Sequence, residues 1–354
     1  MRESLQRSEA MTAVVIGPLF LDVVFSALAR VPEPGEELWS ERCSFVAGGA
    51  ANQARALHRI GFEARLCSYL GEDLPGRMVA TLLNDDGLCT ASLQPTAHQA
   101  VTAAISVGSD RAMISAGMNE APLLSGAAPG LLMGDLRALE RNRETVRQWR
   151  ESGTFVVGDV GWDESGRWDP SDLASLDLVD VFVPNEDEAC HYMRADSAQE
   201  AAAQLTRLVP TVVVTRGAEG VVAAVAQSEE TGAGTKVAAG TTASIATNVA
   251  VRDSNTASER ECTPSDILSL PAFPARSVDP TGAGDVFSAV LAWGLLRGGT
   301  LRQAASAAAL AGALSTERLG GAGAPTLSEL RERALASVSE GAPSHYDLSL
   351  LTAS

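Results

Sequence analysis

The residues with the clearest chemical potential lie at 278–285 and read VDPTGAGD. Gly282 and Gly284 would leave backbone N–H groups open at the start of a helix, which Thr281 could cap. Such a helix start binds anions, because unpaired N–H groups and the positive end of the helix dipole face the ligand. Asp285 has the wrong charge for an anion ligand. It fits if it removes a proton from a hydroxyl that attacks a phosphate.

A simpler interpretation of this stretch is a glycine-rich loop before a core helix, with Asp285 as an acid favoured by the helix dipole. The next residues do predict a buried helix, because Phe287, Val290, Leu291 and Leu295 recur at helical spacing. Taken alone, the stretch leaves both interpretations open.

Composition excludes several classes of function. The 354 residues are 45% hydrophobic and can bury a large core, whereas the net charge of −17 argues against nucleic acid or an anionic membrane as partner. Lys236 is the single lysine, and no G-x-x-x-x-G-K-[ST] motif occurs. No G-x-G-x-x-G follows the first predicted strand, which counts against a dinucleotide-binding dehydrogenase.

The cysteines and the apolar runs indicate a cytoplasmic protein. Five widely spaced cysteines without a C-x-x-C pair predict neither a disulfide framework nor a zinc site. No run of about 18 apolar residues predicts a membrane span, and the first ten residues do not resemble a signal peptide.

The periodicity predicts an α/β fold. Apolar runs that are typical of buried strands alternate with helical patterns, at 12–16, 131–133, 154–157, 180–183 and 211–215. This alternation is typical of a mostly parallel central sheet with helices on both faces.

Two segments, at about 23–47 and 98–119, depart from this alternation. The first is turn-rich, and the second predicts a hairpin that places Val101 and Ile105 on one face. We expect the two segments to form a small β lid on a main domain spanning 11–340.

Two other segments lack the pattern of a core. Residues 227–263 are rich in Gly, Thr, Ser, Ala and Glu without periodicity, which predicts a low-complexity insertion. Residues 341–354 are expected to form a C-terminal tail.

Four motifs occur in the order characteristic of one family: GGAAN at 48–52, NEDE at 185–188, TRGAEG at 215–220 and DPTGAGD at 279–285. They resemble the signatures of the ribokinase-like carbohydrate kinases of the PfkB type. Each motif alone is common, but all four in order on a strand–helix–strand background make chance an unsatisfactory explanation. The resemblance covers roughly residues 12–335 and implies the ribokinase-like fold.

The resemblance implies an ATP-dependent kinase that phosphorylates a hydroxymethyl group of a small sugar or sugar-like alcohol. It implies that Asp285 is the general base, and that Gly282, Ala283 and Gly284 direct N–H groups at the transferring phosphoryl group. It assigns the remaining roles as follows: substrate binding by Asp22, Gly48, Gly49 and Asn52; nucleotide binding by Thr215, Gly217 and Gly220; and water-mediated magnesium binding by Asn185 and Glu188.

Structural alternatives exist for these residues. Asp22 could be a strand-end acid, Gly48 and Gly49 a helix-entry turn, Asn185 a helix cap, and 215–220 an ordinary hairpin turn. Three further residues could reach a substrate without belonging to a motif: Asp159, Asp163 and Arg111.

Differences from the family bear on the substrate and the ions. In ribokinase itself a lysine follows the paired glycines, whereas this chain has Ala50, which counts against ribose. Family members often bind a monovalent cation such as potassium, here through carbonyl groups near Asp279, Thr281 and the loop 318–326. Their lids often meet across a homodimer, which we therefore expect.

Two other functions remain open. A nucleoside kinase would need an aromatic clamp for a base, which Phe20, Phe25, Trp39 and Phe45 could supply. A sugar- or nucleotide-binding protein that has lost turnover would share the fold but should not need Asp285 and its glycines.

Overall fold

The computed structural model describes most of the chain and all four motifs, over residues 11–107, 110–226, 267–318, 323–339 and 345–353. The predicted insertion at 227–263 lies outside these residues. The side chain of Arg111 also lies outside the description.

The described strands are β1 (Thr12–Ile16), β2 (Leu19–Leu28), β3 (Arg42–Gly49), β4 (Glu63–Cys67), β5 (Tyr69–Gly71), β6 (Gln94–Thr96), β7 (Ala100–Val107), β8 (Asp110–Ala116), β9 (Leu131–Asp135), β10 (Phe155–Asp159), β11 (Val181–Phe182), β12 (Thr211–Thr215), β13 (Val221–Val225) and β14 (Ile267–Leu270). Eight of them form the central sheet in the order β14-β13-β12-β11-β10-β9-β1-β4. Pairing is parallel from β4 to β12 and antiparallel at β13 and β14. The predicted α/β fold with a mostly parallel sheet is confirmed.

The described helices are α1 (Ala50–Arg59), α2 (Leu74–Asp85), α3 (Leu136–Arg141), α4 (Arg143–Glu151), α5 (Glu186–Met193), α6 (Ala198–Leu205), α7 (Ala283–Leu296), α8 (Leu301–Thr316), α9 (Leu327–Ser339) and α10 (Ser349–Thr352). The core on one face of the sheet contains residues of α1, α2, α7, α8 and α9, and the core on the other face contains residues of α3 to α6. Within the described ranges, none of these helices has both the length and the apolar character needed to cross a bilayer.

Strand β1 shows why the central strands read as uninterrupted apolar runs. Ala13 and Val15 belong to the core on one face of the sheet, whereas Val14 and Ile16 belong to the core on the other. Successive side chains of a strand point to opposite faces, so a strand covered on both sides needs apolar residues at every position.

Helix α7, which carries Asp285 in its first turn, is held rigidly by its burial. All its residues from Val286 to Leu295 are buried. It packs closely on α8, since a Cβ at Gly294 would lie 2.8 Å from the Cβ of Ala304. Dense packing of this kind resists displacement, so the first turn of α7 has a fixed position.

Strands β2, β3, β7 and β8 form a separate four-stranded sheet in the order β3-β2-β7-β8. The two predicted lid segments thus contribute to one sheet. Val101 and Ile105 do share a face of β7, but this face is only half-buried, whereas Ala100, Thr102 and Ala104 on the opposite face are buried. The more apolar face of the lid is the one left partly open.

Part of the predicted tail packs onto the domain. Leu348 and Leu351 are buried, and the Tyr346 hydroxyl donates to the Pro271 carbonyl at 2.9 Å. The segment therefore contacts the chain that leads from β14 to the 278–285 stretch.

The two strands that flank the insertion, β13 and β14, are neighbours in the sheet, so a short turn can replace the insertion. Ala224 of β13 pairs with Ile267 of β14 in antiparallel register, so the two ends already lie side by side. Replacing most of residues 227–263 with a short Gly-Ser turn should leave the far-UV circular dichroism unchanged and shift Tm by less than about 4 °C, the change expected for ~1 kcal/mol in a domain of this size. A much larger fall in Tm would mean that the insertion packs on the domain.

Candidate active site

Helix α7 begins at an open, uncapped turn. Gly282 is its N-cap residue and has φ of 78°, in the left-handed region that favours glycine, and no side chain caps the helix. The prediction that Thr281 caps it is wrong. The Ala283 N–H donates to the Pro280 carbonyl at 3.1 Å, whereas no side chain caps the start of the helix.

Two sets of hydrogen bonds hold the loop before α7 in place. Asp279 is fully buried, and its Oδ1 accepts the Thr281 N–H at 2.9 Å. The N–H groups of Val278 and Asp279 donate to the Thr316 carbonyl at the end of α8, at 2.7 and 3.0 Å. These bonds fix the loop to the packed pair of α7 and α8.

Two features of this turn fit an anionic ligand. Among the described residues, the buried Thr281 hydroxyl has no hydrogen-bond partner, although buried polar groups usually have one. A Cβ built on Gly284 would meet no atom within 4 Å, so the first turn faces open space. A phosphate group placed there would accept hydrogen bonds from an uncapped helix start.

Asp285 contacts a predicted substrate-binding residue directly. The Nδ2 group of Asn52 donates to Oδ2 of Asp285 at 3.0 Å, although 233 positions separate the two residues. Asn52 is buried, and Asp285 is half-buried. The structure therefore joins the first and last of the four motifs at the group predicted to act as the base.

Asp22 lies within β2, where it pairs with Val46 of β3, so it is not a strand-end acid. A Cβ on Gly48 would lie 1.8 Å from Oδ2 of Asp22, so the space above Gly48 holds this carboxylate. Gly48, which the resemblance assigns to substrate binding, thus makes room for the Asp22 carboxylate. Gly49 ends β3 and is the N-cap residue of α1.

Two carboxylates end neighbouring strands at this edge. Asp135 ends β9, Asp159 ends β10, and the two residues are paired in parallel register. Asp135 belongs to none of the sequence motifs, and Asp159 is predicted only to lie within reach of a substrate. One sequence pattern could have identified both acids: the apolar runs at 131–135 and 155–159 each end in Gly-Asp. Parallel α/β sheets bind ligands at the carboxyl ends of their strands, so an acid at this position is a candidate site residue.

Burial and like charge act together on these acids. Burial raises the pKa of Asp135 above its usual range. Burial, followed by the negative charges of Glu188, Asp285 and Asp135, raises the pKa of Asp159 well above its usual range. Asp159 thus lies within electrostatic reach of the predicted base and of the predicted magnesium ligand. Perturbed acids grouped in this way are typical of functional sites.

Asn185 and Glu188 form a capping box at the start of α5. Oδ1 of Asn185 accepts the Glu188 N–H, and Oε2 of Glu188 accepts the Asn185 N–H, each at 2.9 Å. Asn185 is exposed, whereas Glu188 is buried, and burial raises the pKa of Glu188 to about 7. The structural alternative for Asn185 is thus correct, and it does not exclude a role with a bound ion.

Thr215, the first of the predicted nucleotide-binding residues, lies beside Asn185. The Thr215 N–H donates to the Pro184 carbonyl at 3.0 Å, and Thr215 forms a parallel bridge with Asn185. Gly217 is exposed and begins a short 3-10 turn. A Cβ on Gly220 would lie 2.1 Å from the Leu270 carbonyl oxygen, so the packing of β14 explains this glycine.

Asp163 has a structural role. Its Oδ2 accepts the Trp168 N–H at 2.7 Å, and its Oδ1 accepts the Ser165 N–H at 2.9 Å. Both oxygens therefore hold the loop after β10, which argues against contact with a substrate.

The family model described as pfkB family carbohydrate kinase matches residues 12–256 and 262–327. The chain belongs to this family.

Relatives and solved structures agree with this assignment. The chain is 28% identical to a ribokinase of Arabidopsis thaliana, over 86% of this chain and 76% of the relative, and 26% identical to a ribokinase of Lactococcus lactis, over 91% and 97%. Similar folds include Arabidopsis thaliana ribokinase with ribose and ATP (TM-score 0.66, 20% identity, 91% of this chain and 98% of that chain). A candidate ribokinase II of E. coli with ATP and Mg²⁺ has a TM-score of 0.66 at 18% identity, over 92% and 99% of the chains. A Burkholderia thailandensis nucleoside kinase with inosine has the same TM-score and identity, over 93% and 97%.

The raised pKa of Glu188 predicts a pH-dependent stability of the ligand-free protein. A buried carboxyl whose pKa is about 7, against 4.5 in the unfolded chain, holds its proton longer in the folded state. It therefore stabilises the fold at low pH, and this contribution is lost as pH rises toward and through about 7. Glu188→Gln keeps the shape and an oxygen for the cap, but cannot ionise.

We expect wild type and Glu188→Gln to have similar free energies of unfolding at pH 5. At pH 8 the variant should be more stable, by on the order of 2 kcal/mol. Chemical denaturation at both pH values measures the difference. A difference that does not change with pH would show that Glu188 titrates like an exposed glutamate.

Proposed function

We propose that the protein is an ATP-dependent kinase that phosphorylates a hydroxymethyl group of a small sugar or sugar-like alcohol. The observation that supports this most directly is the placement of Asp285 in the first turn of an uncapped, outward-facing helix start. A carboxylate beside an anion site has a clear use in phosphoryl transfer, where a hydroxyl must lose its proton as it attacks.

In the proposed reaction, Asp285 accepts the proton of the substrate hydroxyl while the hydroxyl oxygen forms a bond to the terminal phosphorus of ATP. The bond from this phosphorus to the bridging oxygen breaks, and ADP leaves with the electron pair. The backbone N–H groups of Gly282 and Gly284 stabilise the negative charge that the phosphoryl oxygens carry in the transition state. Ala283 holds the turn in shape, because its N–H donates to the Pro280 carbonyl. Asp22 and Asn52 orient the substrate, and Gly48 and Gly49 shape the entry to α1.

The residues present fit a magnesium ion that arrives with the nucleotide. Asn185 and Glu188 would hold it through water, in keeping with the few carboxylate contacts that magnesium usually makes in kinases. When bound, the ion would neutralise charge on the phosphates.

Other features remain proposals. A potassium ion near Asp279 and Thr281 would rely on backbone carbonyls, and part of the predicted loop, at 319–322, lies outside the described residues. Thr215, Gly217 and Gly220 are proposed to border the nucleotide, which their position next to Asn185 supports. The cytoplasmic location also stays a prediction.

A nucleoside is the second candidate substrate. In the register of β2 and β3, Phe20 lies on the same face as Asp22, whereas Phe25 and Phe45 lie on the opposite face. A Cβ on Gly49 would lie 2.8 Å from the Phe20 ring, so this ring borders the entry to α1. Phe20 is therefore the better candidate for contact with a base, and Phe25 and Phe45 fit the clamp poorly.

A screen of ATP consumption over pentoses, hexoses, keto-deoxy acids and nucleosides tests the proposal and separates the two substrates. Turnover with a sugar alone supports the proposed sugar kinase, and turnover with nucleosides supports the nucleoside kinase. Binding of nucleotide and sugar by calorimetry without turnover on any compound would favour a binding protein.

Asp285→Asn should separate chemistry from binding. The amide keeps the size of the side chain but cannot accept the proton, so kcat should fall by ~10²–10⁴-fold while substrate and ATP affinities change little. Asp22→Ala is the matched comparison, because it removes charge-assisted hydrogen bonds to the substrate. Its KM for the sugar should rise by ~10–100-fold.

Steady-state kinetics of both variants measure these effects. Near-wild-type kcat in Asp285→Asn would contradict the assignment of the base. Equal damage to the sugar and ATP affinities in Asp22→Ala would instead indicate a structural role for Asp22.

A homodimer is proposed from the apolar face of the lid. Phe25, Ile105 and Ile114 share this face with Phe45, and the last two are well exposed, Phe45 by 48% and Ile114 by 73%. Large exposed apolar patches usually mark contact surfaces.

Ile114→Glu places a charge on this face and should convert a dimer to a monomer, because an unpaired charge is costly at a buried interface. Val338 on α9 is 57% exposed and lies outside the lid, so Val338→Glu serves as a control that leaves the dimer intact. Light scattering measures the mass. A wild-type monomer, or a dimer that survives Ile114→Glu, would contradict this surface.

A further inference from the structure

Arg55, in the middle of α1, is among the most deeply buried charged residues described, with 1% of its surface exposed. Its Nε donates to Oδ2 of Asp86 at 2.6 Å, and its other nitrogens donate to Oδ1 of Asn52 at 3.0 Å and to the Ala47 carbonyl at 2.9 Å. Burying a guanidinium is costly unless it is paired and fully hydrogen-bonded. None of the motifs contains this residue, and the proposed reaction does not use it directly.

The bond from Arg55 to Asn52 determines which way the Asn52 amide points. A guanidinium has donors only, so it accepts no contact from the amide nitrogen and binds the amide oxygen. The amide NH₂ group must then lie on the other side, where it donates to Oδ2 of Asp285 at 3.0 Å. In the flipped amide, nitrogen would face the guanidinium and oxygen would face the carboxylate, and both contacts would be repulsive.

The other contacts of Arg55 hold it in place. Asp86, at the C-terminal end of α2, contacts Arg55 closely and lies 3.8 Å from a nitrogen of Arg59. Ala47 directly precedes Gly48, so the same guanidinium also ties the end of β3 to α1. Arg55 thus connects α1, α2 and the end of β3 to the side chain that contacts Asp285.

We propose that Arg55 is a positioning residue that fixes the amide polarity of Asn52 and, through it, the orientation of the Asp285 carboxylate. This role rests on the proposed kinase function, in which Asp285 takes a proton from the substrate. Arg55 itself touches neither substrate nor the reacting atoms. Its effect reaches the reaction through one hydrogen bond to Asn52.

Kinetics of Arg55→Met test the role. Losing the donor frees the amide to flip, so kcat should fall by ~10–100-fold, the range for one charge-assisted hydrogen bond, while KM for ATP changes by less than about 2-fold. Arg55→Lys keeps a group that only donates, and should recover part of kcat. If the single variant is unstable, the double variant Arg55→Met with Asp86→Asn should be more stable, because it also removes the half-buried carboxylate that lost its close partner.

A double-mutant cycle with Asn52→Ala distinguishes positioning from general loss of structure. If Arg55 acts through Asn52, Arg55→Met should cost little further kcat once the amide is absent. Arg150→Met is the control, since Arg150 forms a comparable ion pair with buried Asp180 in the opposite helix layer, at 2.8 Å. It should lower stability without lowering kcat. Additive losses in the cycle, or an equal loss of kcat in Arg150→Met, would overturn the proposal.

A nuclear magnetic resonance measurement tests whether Arg55 orients the Asn52 amide, and it does not require turnover. In protein labelled with ¹⁵N at asparagine, the side-chain NH₂ signal of Asn52, identified by its loss in Asn52→Ala, should shift as Asp285 titrates. The shift should vanish in Asp285→Asn and also in Arg55→Met. If the signal of Arg55→Met still follows the titration, Arg55 does not set the amide. If the wild type shows no turnover, the kinase function is contradicted, but the NMR titration still tests whether Arg55 orients the Asn52 amide.

Discussion

Repulsion between like charges is the constraint on which the rest of this site depends. Asp135, Asp159, Glu188 and Asp285 come from four different elements. After burial, the negative charges of Glu188, Asp285 and Asp135 raise the pKa of Asp159. A parallel sheet brings the ends of its strands to one edge, so acids that end β9 and β10 become neighbours whatever their charge. Such a group is stable in isolation only if something positive or donating faces it.

Helix starts supply much of that compensation. Asp135 is the N-cap residue of α3, Glu188 lies in the first turn of α5, and Asp285 lies in the first turn of α7. Each acid thus meets the positive end of a helix dipole and the N–H groups that have no partner within the helix. Helices α3 and α5 pack on one face of the central sheet and α7 packs on the other. The sheet therefore fixes the positions of all three helix starts relative to one another. Asn52 adds a donor to Asp285, and Arg55 keeps that donor in the right orientation.

Much of this arrangement was predictable from the sequence because local patterns encode it. The strand at 12–16, the helix after Asp285 and the order of the four motifs depend on periodicity and on short spacings, which are visible in one sequence. The remainder depends on long-range pairing. Nothing local indicates that Gly48 faces Asp22, or that residues 23–47 and 98–119 contribute to one sheet. In the sequence, Arg55 looks like an ordinary polar residue of α1. Only the structure shows its hydrogen bonds to Asp86 and Asn52, which explain why this position is an arginine.

The contact between Asp22 and Gly48 also restricts how the substrate pocket can evolve. Any side chain at position 48 would occupy the place of the Asp22 carboxylate, so the two positions can change only together. A lineage that keeps this acid should therefore also keep the glycine opposite it.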